Sequence, residues 1–90
     1  MYFMSINKFK SDADRAVIGK IIPLHREWAK QQLTAGNLVQ AGKWGDKGGM
    51  IIVKAESREK ADLIVDQDPL AQAGLITYET AQLWPAVGFK

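Results

Sequence analysis

Two segments of helical period, set among four short strand-like runs, predict an α+β domain of order β-α-β-β-α-β. Three observations carry this. Apolar residues recur at helical spacing over residues 18–35 and stop at Gly36-Asn37, a C-terminal stop signal. A Gly-rich stretch, GDKGG at 45–49, separates two strand-like runs as a hairpin loop does. A second helical segment after Ser57 is bounded by Pro69, and the residue before a proline avoids helical geometry. The order is the ferredoxin-like one, an antiparallel sheet with two helices on one face.

The first element spans residues 2–9. Tyr2, Met4 and Ile6 fall on one side and Phe3, Ser5, Asn7 and Phe9 on the other, so both faces are mixed. Asp12 and Asp14 supply helix-start chemistry for the segment that follows. Pro23 inside that segment either begins its better-formed part or kinks it. Residues 38–44 read as the second strand and 50–55, MIIVKA, as the third; the unbroken run Met50 to Val53 implies cover on both sheet faces. Ser57 is the expected N-cap of a helix reaching about Asp66, with Ala61, Ile64 and Val65 inward. PLAQAG then forms a short turn closed by Gly74, and residues 75–84 form the last strand.

One layer of helices covers only one face of such a sheet. Apolar residues on both faces of the third and fourth strands would leave a large exposed patch in a monomer. The expectation is therefore a homodimer packed sheet to sheet. A chain of 90 residues makes a single domain, 1–90, with a thin core that a partner subunit would thicken.

Composition narrows the chemistry. The 47% apolar and 24% charged shares describe a globular chain. The net charge of +2 is scattered, without a basic run interleaved with aromatics, which argues against a nucleic-acid partner. With no cysteine, disulfides, thiolate metal sites and cysteine nucleophiles are excluded, and one histidine cannot build a zinc cluster from imidazole. No apolar run approaches the ~20 residues of a membrane span, and the N-terminus lacks a secretory pattern, so no membrane partner and a cytoplasmic address are expected.

That one histidine is oddly placed. On a wheel of ~100° per residue, Leu24, Ala35, Trp28, Ile21, Ile18, Ala29, Ile22 and Leu33 form an apolar arc with His25 near its middle. Lys20, Arg26, Glu27, Lys30 and Thr34 take the other side. A polar group buried without a partner costs about 1–3 kcal/mol, so the imidazole needs an acceptor. A backbone carbonyl is the structural answer. A second polar residue raises the same question: one further turn of the second helix would put Asp68 on the face of Ala61, Ile64 and Val65. Its structural answer is that Asp before Pro is ordinary turn chemistry. A carboxylate that accepts from one imidazole nitrogen fixes the tautomer and leaves the other nitrogen as a general base. Contact between the two residues does not follow from periodicity.

PLHREWAKQQLTAGNLVQAGKW, a Gly-rich hairpin, AESREKADLIVDQDPLAQAGL and a terminal LWP together resemble the YCII-related (YciI-like) family of the dimeric α+β barrel superfamily. The resemblance rests on the order of a helix His, Gly36, Gly42, the Asp68-Pro69 pair, Gly74 and a final aromatic-proline. It implies a subunit pairing through its sheet into a dimeric barrel, with a His25-Asp68 dyad as acid-base machinery. It further implies a small cofactor-independent enzyme of lyase, dehydrochlorinase or isomerase type, acting on a small planar oxygenated or aromatic compound. Many relatives carry an arginine three residues before the histidine, where this chain has Ile22. Lys43 is a candidate replacement for an anionic substrate.

Other candidates for substrate contact are Ser5 and Asn7 on the first strand, for which wet surface is the competing assignment, and Trp44, which could stack on a planar ligand. Trp28 and Trp84 could do the same, although core or interface packing is the commoner use of such residues. GDKGG is no phosphate loop, because it lacks the GK[ST] pattern leading into a helix. The alternative to an enzyme is a non-catalytic dimer that holds a small ligand or serves as an accessory subunit. A third reading keeps the barrel and substitutes haem binding, with His25 as the one imidazole ligand, or cofactor-free quinol oxidation.

Overall fold

The computed structural model describes residues 1–86 of the expected single domain 1–90, and residues 87–90 lie outside the described residues. The elements follow as β1 (Tyr2–Phe9), α1 (Arg15–Ala35), β2 (Leu38–Trp44), β3 (Gly48–Lys54), α2 (Arg58–Asp66), α3 (Pro69–Gln72) and β4 (Ile76–Leu83). The four strands form one antiparallel sheet in the order β2-β3-β1-β4. The ferredoxin-like α+β class read from the sequence is the one observed.

Local chemistry sets the boundaries. Asp14 caps α1, its carboxylate accepting from Ala16 N at 2.8 Å. The helix thus begins before residue 18, the first position of the apolar period, because residues 15–17 are exposed and carry no burial signal. At the other end Gly36 adopts φ 84°, and its N–H bonds to the carbonyls of Gln32 and Leu33. A left-handed residue there favours glycine, which lacks the Cβ that would clash. Pro23 sits inside an unbroken helix. Pro23 and Gly19, the residue one turn before it, are both exposed, so the carbonyl that proline leaves without its helical donor is on the solvent side. Ser57 caps α2 as expected, accepting from Lys60 N at 3.2 Å. The PLAQAG turn winds into the short helix α3.

The helices lie on one face of the sheet. Phe3, Ile51 and Val53 from the strands meet Trp28 and Ala29 of α1 and Ala61 and Val65 of α2 in the main core. A second cluster joins Leu70, Leu75 and Ile76, with Phe9, Ile18, Ile21 and Ile22 packed against it. Between Leu38 and Gln40 the register of β2 against β3 shifts, and Leu38 and Ala41 both reach the helix side. Such an irregularity breaks the strict alternation of a strand. Ile52, between the inward Ile51 and Val53, is buried as they are, whereas Met50 on its side of the strand is half-buried and Lys54 exposed.

The apolar arc of α1 is only partly used. Leu24 and Leu33 are 56% and 42% exposed. They are the two outermost members of the arc, so their exposure follows from their place on the helical wheel.

Candidate active site

Asp68 is held from several directions. Its N–H bonds to Val65 O at the end of α2, and its carbonyl accepts from Gln72 N in α3. As the N-cap of α3 its carboxylate takes Leu70 N–H at 3.0 Å, and Pro69 follows at the first helical position, where its missing N–H costs nothing. The residue is 1% exposed. A carboxylate so placed needs further partners, because an unpaired buried charge is strongly destabilising.

His25 of α1 supplies one. Its Nδ1 lies 2.8 Å from Asp68 Oδ1, bringing together the two residues that the sequence marks as polar on apolar faces. A carboxylate can only accept, so the proton lies on Nδ1 and the lone pair of the neutral ring on Nε2. The imidazole side chain is 22% exposed, whereas that of Asp68 is 2% exposed. One turn along, the Trp28 ring packs at 6.2 Å between centroids, tilted by 32°. Asp68 is thus the sequestered member of the pair and His25 the one that meets solvent.

His25 opens on a cleft of about 640 Å³ between α1 and the β2-β3 end of the sheet, within the range of small-molecule sites. Its floor is apolar, with Phe9, Ile18, Ile22 and Leu70. Asn7 and Lys43 line it, as does His25. Asn7 is 6% exposed, and its Oδ1 accepts from Gly49 N at 3.1 Å. Since a backbone N–H must meet the amide oxygen, the Nδ2 donors form the other branch of that side chain.

Ser5 and Trp44 are not part of this lining. Ser5 is buried, and its hydroxyl accepts from Thr80 Oγ1 at 3.1 Å across the paired strands. Wet surface is therefore not the setting of Ser5 or Asn7. Trp44 borders a smaller cleft of about 380 Å³ with Ile6, Lys8 and Glu79, and the Lys8 ammonium stands 5.3 Å from its ring centroid. Trp28 is core and Trp84 is 77% exposed.

Arg26 and Lys30 also line the main cleft, although the helical wheel sets them opposite the apolar arc. Their signal was spacing: both continue the four-residue ridge of Ile18 and Ile22, and long side chains extend past the edge of an apolar stripe. Among the described residues, no group of three or more His, Cys, Asp or Glu side chains is placed to hold a metal ion. No helix there is long and apolar enough to cross a membrane.

Comparison with known proteins places this architecture. A 5-chloro-2-hydroxyhydroquinone dehydrochlorinase from Burkholderia phenoliruptrix AC1100, solved with 2,5-dihydroxybenzoquinone, superposes with a TM-score of 0.77 at 19% identity, covering 93% of this chain and 94% of that one. A muconolactone isomerase superposes with a TM-score of 0.74 at 19% identity, covering 100% of this chain and 97% of that one. At such identities the likeness shows a shared fold. No curated protein matches the sequence. The YCII-related domain matches residues 1–84, and the chain belongs to the YCII-related family.

Proposed function

We propose that the protein is a small enzyme of lyase or isomerase type, needing no cofactor, that acts on a small planar oxygenated compound through the His25-Asp68 pair. The observation that carries this is the 2.8 Å contact between His25 Nδ1 and the buried Asp68 carboxylate, at the wall of a cleft sized for a small molecule. Asp68 orients the ring and stabilises the imidazolium. His25 Nε2 takes a proton from a hydroxyl or activated C–H of the substrate, and the freed electron pair expels a leaving anion or shifts a double bond. In the second case the same nitrogen returns the proton elsewhere, completing an isomerisation. Asn7 Nδ2 and Lys43 are suited to holding substrate oxygens. Of the two structural neighbours one is a dehydrochlorinase and the other an isomerase, the two outcomes this step allows.

The subunit is proposed to work as a homodimer, packed through the sheet face without helices. Met4 and Ile6 lie half-buried on that face, opposite the core-facing Phe3, Ser5 and Asn7, and Trp44 at its edge is 44% exposed. Ser5 acts there from within, steadying β1 against β4, and Trp44 is assigned to the interface or to a ligand that reaches it. The cytoplasm is the proposed location.

Chloride release from chlorinated hydroxyhydroquinones, and isomerisation of unsaturated lactones, test the reading directly. Loss of about 10²–10⁴-fold in turnover is expected for His25→Ala and for Asp68→Asn, the usual worth of a general base, with both variants still folded. Folded variants that retain full turnover would overturn it. Ligand binding with no bond changed in any substrate would favour the non-catalytic binding protein.

A further inference from the structure

One ridge of α1 runs along the cleft as Ile18, Ile22, Arg26 and Lys30, four residues apart at each step. Residues at that spacing are neighbours on a helix, about 5–6 Å apart. The ridge is therefore apolar along its first half and cationic along its second. His25 lines the cleft beside the point where it changes. Across the cleft, on β2, Lys43 adds a third cation.

No carboxylate lines this cleft among the described residues, since Asp68 lies behind His25. Lys43 pairs with the exposed Asp46 at 3.5 Å, and neither Arg26 nor Lys30 forms an ion pair among the described residues. Like charges gathered on one wall without counter-charges raise the local concentration of anions.

From this arrangement we infer that the ligand of the cleft is a flat organic monocarboxylate, its carboxylate held by Arg26 and Lys30 and its apolar body laid on Ile18, Ile22 and Leu70. The inference rests on the proposed active site and adds the substrate's charge and orientation. A guanidinium offers the planar fork that a carboxylate matches with two parallel hydrogen bonds. A phosphate is the poorer fit. Backbone N–H groups at helix starts are the usual phosphate holders, and those of α1 and α3 are already capped by Asp14 and Asp68. The apolar floor asks for a body beyond the anion. With the carboxylate on the C-terminal half of the ridge and the body on the N-terminal half, the middle of the ligand lies at His25.

Two probes that differ only in the carboxylate test this: 2,5-dihydroxybenzoate and 1,4-dihydroxybenzene, titrated into the protein while the backbone amide resonances of Asn7, Gly42 and Gly49 are followed. The carboxylate is expected to bind at least about tenfold more tightly, equivalent to about 1.4 kcal/mol. Its advantage should shrink at high salt, because exposed cations are screened. It should also vanish in the Arg26→Gln/Lys30→Gln double variant while the neutral diol binds that variant unchanged. Equal affinity of the two probes, or an advantage that survives in the double variant, overturns the inference and leaves the His25-Asp68 reading standing. If neither probe moves those amides, the cleft is not the ligand site and both readings fall together.

Discussion

His25 Nδ1 and Asp68 Oδ1, 43 residues apart in the chain, meet at 2.8 Å where α1 packs on the start of α3. The same oxygen caps α3 through Leu70 N–H, so one carboxylate oxygen serves the helix cap and the imidazole together. Those two roles are separable by substitution. Asn at position 68 keeps an oxygen for Leu70 N–H but also brings an amide donor, so it no longer fixes the imidazole tautomer. Asp68→Ala removes both. Urea unfolding is expected to show Asp68→Ala losing about 1–3 kcal/mol, from the lost cap and the unpaired groups left behind, and Asp68→Asn losing less. Nitrogen-15 spectra of His25 should report a proton on Nδ1 in the wild type and a mixture of tautomers in Asp68→Asn. A single unchanged tautomer in that variant would mean that Asp68 does not orient the ring.

The hairpin glycine beside the cleft gives a second prediction. A Cβ added at Gly48 would stand 1.9 Å from Asn7 O, a backbone atom that can move only if β1 moves. Gly48→Ala is expected to cost about 1–3 kcal/mol, in the range of overpacked sites. Because Asn7 lines the cleft, the same variant should weaken the binding of 2,5-dihydroxybenzoate. Gly19→Ala serves as the control, since a Cβ there meets nothing within 4 Å and Gly19 does not line the cleft. Denaturant midpoints and binding titrations of the pair check this, and equal effects from both glycines would contradict it.

Much of this site could be read from the chain, because buried polar residues stand out against a helical period. His25 and Asp68 were conspicuous for that reason, and the family resemblance pointed to the same pair. Each strand lies within a residue or two of its expected place, since Gly36 and the glycines of 45–49 punctuate the pattern, although Gly48 and Gly49 already belong to β3. What periodicity could not supply was depth. It treats Leu24 and Leu33 as equals of Trp28, yet they stand at the two edges of the apolar arc and are exposed. It sets Arg26 and Lys30 apart from the apolar arc, when the cleft edge runs along the boundary between the two. Nor does strict alternation anticipate the register shift after Leu38, which depends on a partner strand.

Trp28 offers a test of core energetics. It is 8% exposed, and its Nε1 is buried with no hydrogen-bond partner among the described residues. Removing an unsatisfied buried donor recovers part of the loss from a smaller ring. Trp28→Phe leaves a smaller cavity than truncation does and sheds the unpaired N–H, so it is expected to cost about 1–2 kcal/mol. Trp28→Ala should cost about 3–5 kcal/mol. Thermal or urea unfolding decides this. A Phe variant as unstable as the Ala variant would mean that the indole N–H finds a partner in solution.

Tyr78 carries the clearest pH signature. Burial first, then its hydrogen bond to Asp66 and the negative charges of Asp66 and Asp62, push its phenol from 10.0 up to about 12. The positive charge of Arg58 opposes this as the smallest of the causes. The charged form of the tyrosine is thus disfavoured in the folded state. Above pH 10.0 the unfolded chain releases this proton before the folded one does, so the unfolded state binds fewer protons and stability falls as pH rises. The contribution is complete below 10.0 and is lost as pH rises toward about 12. Carbon-13 spectra of the Tyr78 ring should show ionisation well above the usual tyrosine range, and Asp66→Asn should lower it. The same substitution should flatten the decline of stability over that interval. If Tyr78 titrates alike in both proteins, the Asp66 contact does not persist in solution.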